Sequence, residues 1–357
     1  MHVSYSAEGI YLPEIELWLD PHRNCAAAWI SHAHSDHARG SHRTVFSTAI
    51  TREIYSLRVG DSAIHDTRFV NLDYGESFEW GGARLTSYPA GHILGAAQLL
   101  VEFKGERLVY TGDIKLREPL CGATTIVTPC DHLITECTFG LPVFHFLDRE
   151  EATRRILSFA HECLAEGETP AFFGYALGRG QEIAHVLASN NVPIAVHGAI
   201  ARYFPWYEQA GYEFPGWEPY DRREFHGRAL VVVPSFRAAL QTMEKNVRIA
   251  YVSGWASMDN ARARSGAQEL IAYSDHGDFR ELLELVTQSG AHRVDAVHGY
   301  TETFARILCE RGFEATAPLA FAERFNEEEA PEAEAPDNDG IDNEGPNNRG
   351  PNNTDTE

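Results

Sequence analysis

The sequence predicts an α/β protein containing a small parallel-sheet domain, on three observations. The first 140 residues break into short strand-like runs separated by glycine turns. From about 170 to 240, apolar strands alternate with helical stretches. From 247 to 312, strands and helices alternate again, and beyond Ala322 the aliphatic residues almost stop.

Taken in order, "CAAAWIS" (25–31) is a buried-type strand that runs straight into a histidine-rich loop. The stretch from Phe69 to His92 reads as strands broken at Gly75 and at the Gly81-Gly82 turn. "AQLLVEFKGERLVYTGD" is a hairpin turning at Lys104-Gly105, and "CDHLITECT" supplies another strand. "DREEATRRILSFAHECLAEG" is an amphipathic helix that opens on acids and closes at a glycine. "PAFFGYA", "PIAVHG" and "ALVVVPS" are apolar strands, with helical stretches starting near 179 and 199. "RIAYVSGW", "ELIAYSDH", a helix over 278–289, "RVDAVHGY" and a helix over 301–312 complete the series. The segment from 323 onward is rich in Glu, Pro, Asp, Asn and Gly. It is expected to be disordered, because it cannot bury enough apolar surface to offset its ordering entropy.

A chain of 357 residues can build one large domain or two medium ones around a sizeable core. No apolar run reaches membrane-span length and no signal-type segment opens the chain. The six cysteines are scattered without a C-x-x-C pair, which argues against a zinc knuckle or disulfide framework and for a reducing cytoplasm. Acids number 52 against 30 bases, for a net charge of −22, and only three of the bases are lysine. Such a surface fits a halophile. At low salt it would oppose nucleic-acid binding, but at 1 M salt the Debye length is only ~3 Å. Net charge therefore leaves a nucleic-acid substrate open, while making a local arginine patch necessary.

The segment "SHAHSDHARG" places His32, His34, Asp36 and His37 within six positions. His32 and His34 are two apart and can project the same way from extended backbone. Asp36 and His37 follow after a turn and can face a second point. Further metal-type donors sit at strand ends: His92 in "PAGHILG", Asp113 in "YTGDIKL", His276 in "YSDHGD" and His298 in "AVHGYT". Each alone has an ordinary reading as a surface, core or turn residue; together and in this order they read as a metal site. A bridging Asp113 would reduce the repulsion between two cations. Zinc suits this imidazole-rich set, and ligand type alone leaves manganese and iron open.

These residues resemble the metallo-β-lactamase superfamily, whose pattern is H-x-H-x-D-H, then G-H, then G-D, then a late histidine. The resemblance covers about residues 1–320. It implies a four-layer αββα sandwich with two zinc ions along one edge. One ion would take His32, His34, His92 and Asp113; the other, Asp36, His37, Asp113 and His298. Asp20, which ends "IELWLD", matches an early strand-end aspartate and would orient a ligand imidazole.

The 185 residues separating Asp113 from His298 exceed one connection in such a fold. That points to an inserted domain and to the β-CASP branch of nucleic-acid-processing nucleases. "ITECTFG" resembles that branch's E-S-T-[YF]-G element, with Glu136 in place and Cys137 where serine is usual. "YSDHGD" and "AVHGY" resemble its histidine motifs. "FFGYALGRGQE" resembles its F-A-L-G-R-x-Q-E stretch. The implied division is 1–148 and 256–322 for the metal-binding domain, 149–255 for a β-CASP cap, and 323–357 for the acidic tail. His276 would be the general acid, paired with Glu136, and Asp113 would serve both metals. Arg179 and Gln181 would contact a substrate phosphate, with His197 a weaker candidate in the same groove.

The implied activity is a two-metal phosphodiesterase acting on single-stranded ends of DNA or RNA. It would be an exonuclease in DNA repair or RNA 3′-end processing, located in the cytoplasm. The motifs look most similar to ligase-associated DNA exonucleases and messenger-RNA 3′-end-processing-factor-like proteins, which suggests a DNA ligase as functional partner. Two alternatives use the same fold: a thioester or lactone hydrolase, and a non-catalytic nucleic-acid-binding scaffold. The inserted domain, Glu136 and His276 argue against the first, and the filled ligand positions against the second.

Overall fold

The computed structural model describes residues 1–241 and 246–321. The acidic tail expected to be disordered lies outside the described residues. Three sheets organise the chain. The first holds β1 (Ser4–Ser6), β2 (Gly9–Leu12), β3 (Leu17–Leu19), β4 (Ala27–Trp29), β5 (Thr44–Ser47) and β6 (Arg68–Asn71), in sequence order. Its first three strands pair antiparallel and the rest parallel.

The second sheet begins with the meander β7 (Ser77–Trp80), β8 (Ala83–Pro89), β9 (Ala97–Phe103) and β10 (Glu106–Tyr110). β11 (His132–Cys137) then joins β10 in parallel. The β9–β10 hairpin turns at Lys104 and Gly105, both at positive φ, as a two-residue turn matched to strand twist requires. The chain next leaves to build the third sheet from β12 (Thr169–Phe173), β13 (Ile194–Val196), β14 (Glu218–Pro219), β15 (Ala229–Val232), β16 (Val247–Val252) and β17 (Glu269–Ile271). All its pairings are parallel, in the order β14-β13-β15-β12-β16-β17. The chain finally returns as β18 (Arg293–Gly299), which pairs in parallel with β11, and β19 (Glu314–Thr316) at the sheet edge.

Strand periodicity explains how these sheets pack. Successive side chains point to opposite faces, so a strand apolar at every position can feed two cores. Leu99 and Val101 enter the core shared with Trp29 and Phe46 of the first sheet, while Leu100 faces away. Leu108 and Tyr110 divide from Val109 in the same manner, and Ile134 divides from Leu133. The first two sheets therefore face each other. The amphipathic helices Phe279–Ser289 and Thr301–Glu310 cover the outer side of the second through Leu282, Leu285, Phe304 and Leu308. The helix Ala49–Val59 covers the outer side of the first through Tyr55. In the third sheet, Phe172 and Val231 meet the helices Arg149–Ala165 and Arg179–Ser189, while Ala171, Phe173, Leu230 and Val232 face the opposite side. Among the described residues, no helix is long and apolar enough to cross a membrane.

Two expectations need correction. The first 140 residues were expected to be strands, yet 49–59 is a helix capped by Thr48, whose side chain accepts from the Thr51 amide. Its buried face needs only Thr51, Ile54 and Tyr55, too sparse an apolar stripe to declare a helical period. The boundary expected at 255 also falls inside the third sheet, because β17 pairs with β16 through Leu270 and Tyr251.

The N-terminal strand is locked to the second sheet by Asp295, which is fully buried. Its carboxylate accepts hydrogen bonds from the Tyr5 hydroxyl, from His132 Nε2 at 2.7 Å and from Thr316 Oγ1 at 2.6 Å, with Arg293 at 3.2 Å. Burial opposes the charge, but the hydrogen bonds from His132, Thr316 and Tyr5 outweigh it and hold the carboxyl at about 2. A depressed folded-state pKa stabilises the fold above the unfolded value of about 3.9, and that contribution is lost as pH falls toward 2. Asp295→Ala should destabilise the protein by about 3–5 kcal/mol at neutral pH. It should also flatten the pH dependence of stability between about 4 and 2. Denaturant titrations of both proteins across that range check this.

Candidate metal centre

The expected donors converge where strands of the two facing sheets end. β4 delivers the histidine loop, β8 leads to His92, β10 leads to Asp113, and β11 carries Glu136. Gly112 allows the close crossing: its φ is +56°, and a Cβ there would lie 2.5 Å from the Ser31 side chain. Only glycine permits Asp113 to turn in against the histidine loop. His32, His34, His92 and Asp113 place one ligand atom each within 4.8 Å of one another.

Each ring is oriented by a hydrogen bond at its outer nitrogen. His92 Nδ1 donates to the Asp275 carbonyl at 2.9 Å, and His34 Nε2 donates to the Leu177 carbonyl at 3.0 Å. His37 Nδ1 donates to Asp20 Oδ2 at 2.7 Å. His32 Nδ1 donates to Ser31 Oγ at 2.9 Å, whose own proton goes to Asp20 Oδ2. Asp20 also accepts from the Ser31 amide and from the Tyr110 hydroxyl at 2.8 Å. It therefore orients His37 directly and His32 through Ser31, the carboxylate–histidine arrangement common around metal ligands.

The inner nitrogens face Asp113. The Nε2 atoms of His32, His37 and His92 lie 3.4, 3.4 and 3.5 Å from its carboxylate oxygens. His32 Nε2 is buried without a hydrogen-bond partner among the described residues. A sharper indication is that His92 Nε2 and His34 Nδ1 are 3.0 Å apart. Carbonyls can only accept, so each ring places its proton on the outer nitrogen and, when neutral, turns a lone pair toward the other. Two lone pairs at that distance repel, and a divalent cation between them removes the conflict. Burial pushes His32 and His92 well below the usual imidazole range, with further lowering by neighbouring histidines. Both are thus in the neutral form that binds metal. The residues fit a cation held by His32, His34, His92 and Asp113.

The second expected set is looser. His37 Nε2 is 3.5 Å from Asp36 Oδ2, but the Asp36 side chain is 55% exposed. The ring of His298 stands 5.5 Å from that of His37, centroid to centroid. His298 reaches this position through a β-bulge: Glu136 pairs with Val297 and Cys137 with Gly299, leaving His298 as the extra residue at φ +56°. Cys137 Sγ donates to the His298 carbonyl at 3.0 Å, so the cysteine in the serine position holds the bulge.

His276 stands beside the cluster. Its Nδ1 donates to Glu136 Oε1 at 2.8 Å, and its Nε2 lies 3.9 Å from Asp113 Oδ2. Glu136 also accepts from the amides of Ile114 and Thr138. Burial opposes charge on His276, but Glu136 and Asp113 outweigh it and raise the imidazole to about 10. Burial raises the Asp113 carboxyl to about 7 despite the pull of His37.

The residues expected to contact a substrate phosphate are used otherwise. Arg179 is 3% exposed and forms an ion pair with Asp275. Gln181 is fully buried: its Oε1 accepts from the Gly178 amide at 2.6 Å, and its Nε2 donates to the carbonyls of Ala176 and Ile200. The amides of Gly178 and Gly180 are likewise occupied, the latter by the Tyr175 carbonyl. Burial and these internal contacts leave Arg179 and Gln181 turned away from any phosphate in the cleft, although Arg179 Nε itself has no hydrogen-bond partner among the described residues. His197 Nδ1 accepts from the Ala199 amide and its ring lies against Phe236. The sequence reading missed Ser31, Tyr110, Asp275 and the Leu177 carbonyl. Only Asp275 carried a signal, its place next to His276; the others act through partners remote in sequence or through backbone.

No family model matches the chain. A probable DNA ligase of Opitutus terrae is 33% identical over 315 residues, covering 87% of this chain and 30% of that protein. Cleavage and polyadenylation specificity factor subunit 3 of Dictyostelium discoideum is 29% identical over 54% of this chain and 28% of its own length. The endoribonuclease YSH1 of Eremothecium gossypii is 32% identical over 38% of this chain and 19% of its own length. The chain thus spans under a third of these curated relatives. A crystal structure of an Enterococcus faecalis protein of unknown function superposes with a TM-score of 0.56 at 13% identity, covering 84% of this chain and 80% of that one; the likeness concerns fold alone. With its donor set and these relatives, the chain belongs to the metallo-β-lactamase superfamily and, within it, to the β-CASP branch.

Asp20→Asn should replace an acceptor by a donor facing His37 and Tyr110. It should weaken divalent-cation binding about 10–100-fold, measured by competition with a chromogenic chelator.

Proposed function

We propose that the protein is a metal-dependent nuclease acting on single-stranded ends of DNA or RNA, and that it works as an exonuclease. The observation that carries this reading is the Glu136–His276 pair set against the His32, His34, His92 and Asp113 cluster. A thioester expels a thiolate that can leave without an acid, whereas the leaving alkoxide of a phosphodiester needs a proton delivered to it. In this reading the two facing sheets and their outer helices form the αββα sandwich, and the third-sheet unit is a β-CASP cap over the metal edge. Zinc is the expected cation, and manganese would also suit the donors. His32, His34, His92 and Asp113 would hold one ion, and Asp36, His37, Asp113 and His298 a second. When bound, the cations supply Lewis acidity and neutralise charge on a non-bridging oxygen.

The protein's own groups would do the rest. Glu136 accepts from His276 Nδ1 and so leaves Nε2 directed at the cluster, where it can hand a proton to the departing oxygen. Asp20, Ser31 and Tyr110 keep the histidine rings in register during turnover. Similarity over 87% of this chain to a protein named a probable DNA ligase supports DNA ends as substrate and a ligase as functional partner. The relatives named for polyadenylation and endoribonuclease activity support RNA, over smaller shares of the chain.

The test is to incubate the zinc-loaded protein in high salt with end-labelled linear and circular single-stranded DNA and RNA. Chelator-sensitive shortening of linear but not circular strands is expected. No shortening of any strand, or thioester turnover that survives His276→Ala, would refute the nuclease reading. Asp113→Ala should lose activity together with most bound metal. His276→Ala should keep its metal and slow cleavage by about 10²–10⁴. Metal analysis alongside initial rates separates the two roles.

A further inference from the structure

The short segment Ala176–Arg179, which leads from β12 into the helix Arg179–Ser189, brings the third-sheet unit against the metal ligands. The Leu177 carbonyl receives the His34 Nε2 proton at 3.0 Å. Two residues on, Arg179 pairs with Asp275, whose own carbonyl receives the His92 Nδ1 proton at 2.9 Å. Leu177, Arg179 and Asp275 are 4%, 3% and 1% exposed, so water does not readily replace these contacts. Arg179 is fixed further by the Tyr175 ring, 4.7 Å away.

Two more features bind this segment to the metal edge. Gly178 has φ +101°, and a Cβ there would sit 2.6 Å from Ile93 and 3.1 Å from Asp275, so the turn is pressed against the residue after His92. Beside it, Glu182 Oε1 accepts from the amides of Leu120 and Cys121 and from the Tyr273 hydroxyl. Lys115 donates to the Ser274 carbonyl at 2.6 Å. Two buried charged groups of the third-sheet unit thereby hold the loops 115–121 and 273–276, Arg179 by its ion pair with Asp275 and Glu182 by its hydrogen bonds from Leu120, Cys121 and Tyr273.

We infer that Ala176–Arg179 belongs to the metal centre. The Leu177 carbonyl and the Arg179–Asp275 ion pair set the ring orientation of His34 and His92, so cation retention depends on the third-sheet unit staying docked. Arg179 and Asp275 are positioning residues in this scheme. The inference rests on the metal-centre reading above. Acceptors behind ligand histidines typically contribute 10–100-fold to metal affinity. Linkage makes the dependence reciprocal: if docking favours the cation, the cation favours docking.

Zinc affinity of the full chain, by chelator competition, tests this with Arg179→Met and Asp275→Asn, and with Arg179→Lys as the conservative variant. Arg179→Met and Asp275→Asn should bind zinc about 10–100-fold more weakly, with circular dichroism in chelator like that of the parent. Arg179→Lys should recover part of the loss. The visible spectrum of the Co2+ form should change in the two weakened proteins, because the ligand rings turn. Parent-like affinity in both would overturn the inference. Hydrogen exchange on the unmutated protein covers the case in which a variant fails to fold. Zinc should slow exchange in 174–182 more than in β13, and equal slowing would overturn the inference. A parent that takes up no zinc would instead overturn the metal-centre reading itself.

Discussion

The carboxylate of Asp113 is the constraint around which the rest is arranged. It is 5% exposed, and four imidazole nitrogens, from His32, His37, His92 and His276, lie within 3.9 Å of its oxygens. Despite burial, nearby carboxylates raise His37 and His276, which can share the charge of Asp113. Burial drives His32 and His92 neutral with their inner nitrogens also facing it, and that neutral pair calls for a cation. A divalent cation meets that need. The outer hydrogen bonds then decide which nitrogen of each ring turns inward. Those bonds draw on every part of the molecule: Asp20 from the first sheet, Tyr110 from the second, Leu177 from the third-sheet unit.

This dependence explains features that are otherwise unrelated. The positive φ of Asp20, +42°, brings its carboxylate beneath Ser31 and His37 at the end of β3. The bulge at His298 turns one residue of an otherwise regular parallel strand toward the cluster. Both are backbone conformations that a non-glycine residue adopts only when its surroundings hold it there. In each case the holding group is visible: hydrogen bonds to Asp20 from Ser31, His37 and Tyr110, and the Cys137 thiol at the His298 carbonyl.

The third-sheet unit packs on the metal edge more intimately than a separate lid would. Its apolar core includes Ala33, Ile54, Ala90, Ile93 and Leu94, residues that flank the histidine loop and His92. Charged groups that look on paper like ligand-binding residues are therefore consumed by docking. Arg179 is the clearest instance, since a guanidinium next to a glycine-rich turn suggests a phosphate site until its partner is known.

What the sequence alone determined is the local chemistry and the strand framework. The H-x-H-x-D-H spacing, the strand-end positions of His92, Asp113, His276 and His298, and the β9–β10 hairpin all follow from periodicity and turn residues. These are short-range properties, written within a few positions of where they act. The helix 49–59, whose buried stripe holds only three residues, and the continuation of the third sheet to β17 were not legible, because tertiary packing supplies what local pattern lacks. Tertiary structure alone also decided the orientation of each histidine and the partner of each buried charge. The Leu177 carbonyl carries no side-chain signature, and Asp275 lies 96 residues from the arginine it pairs with. Hydrogen-bond partners are chosen by proximity in the folded chain, and sequence spacing does not encode that distance.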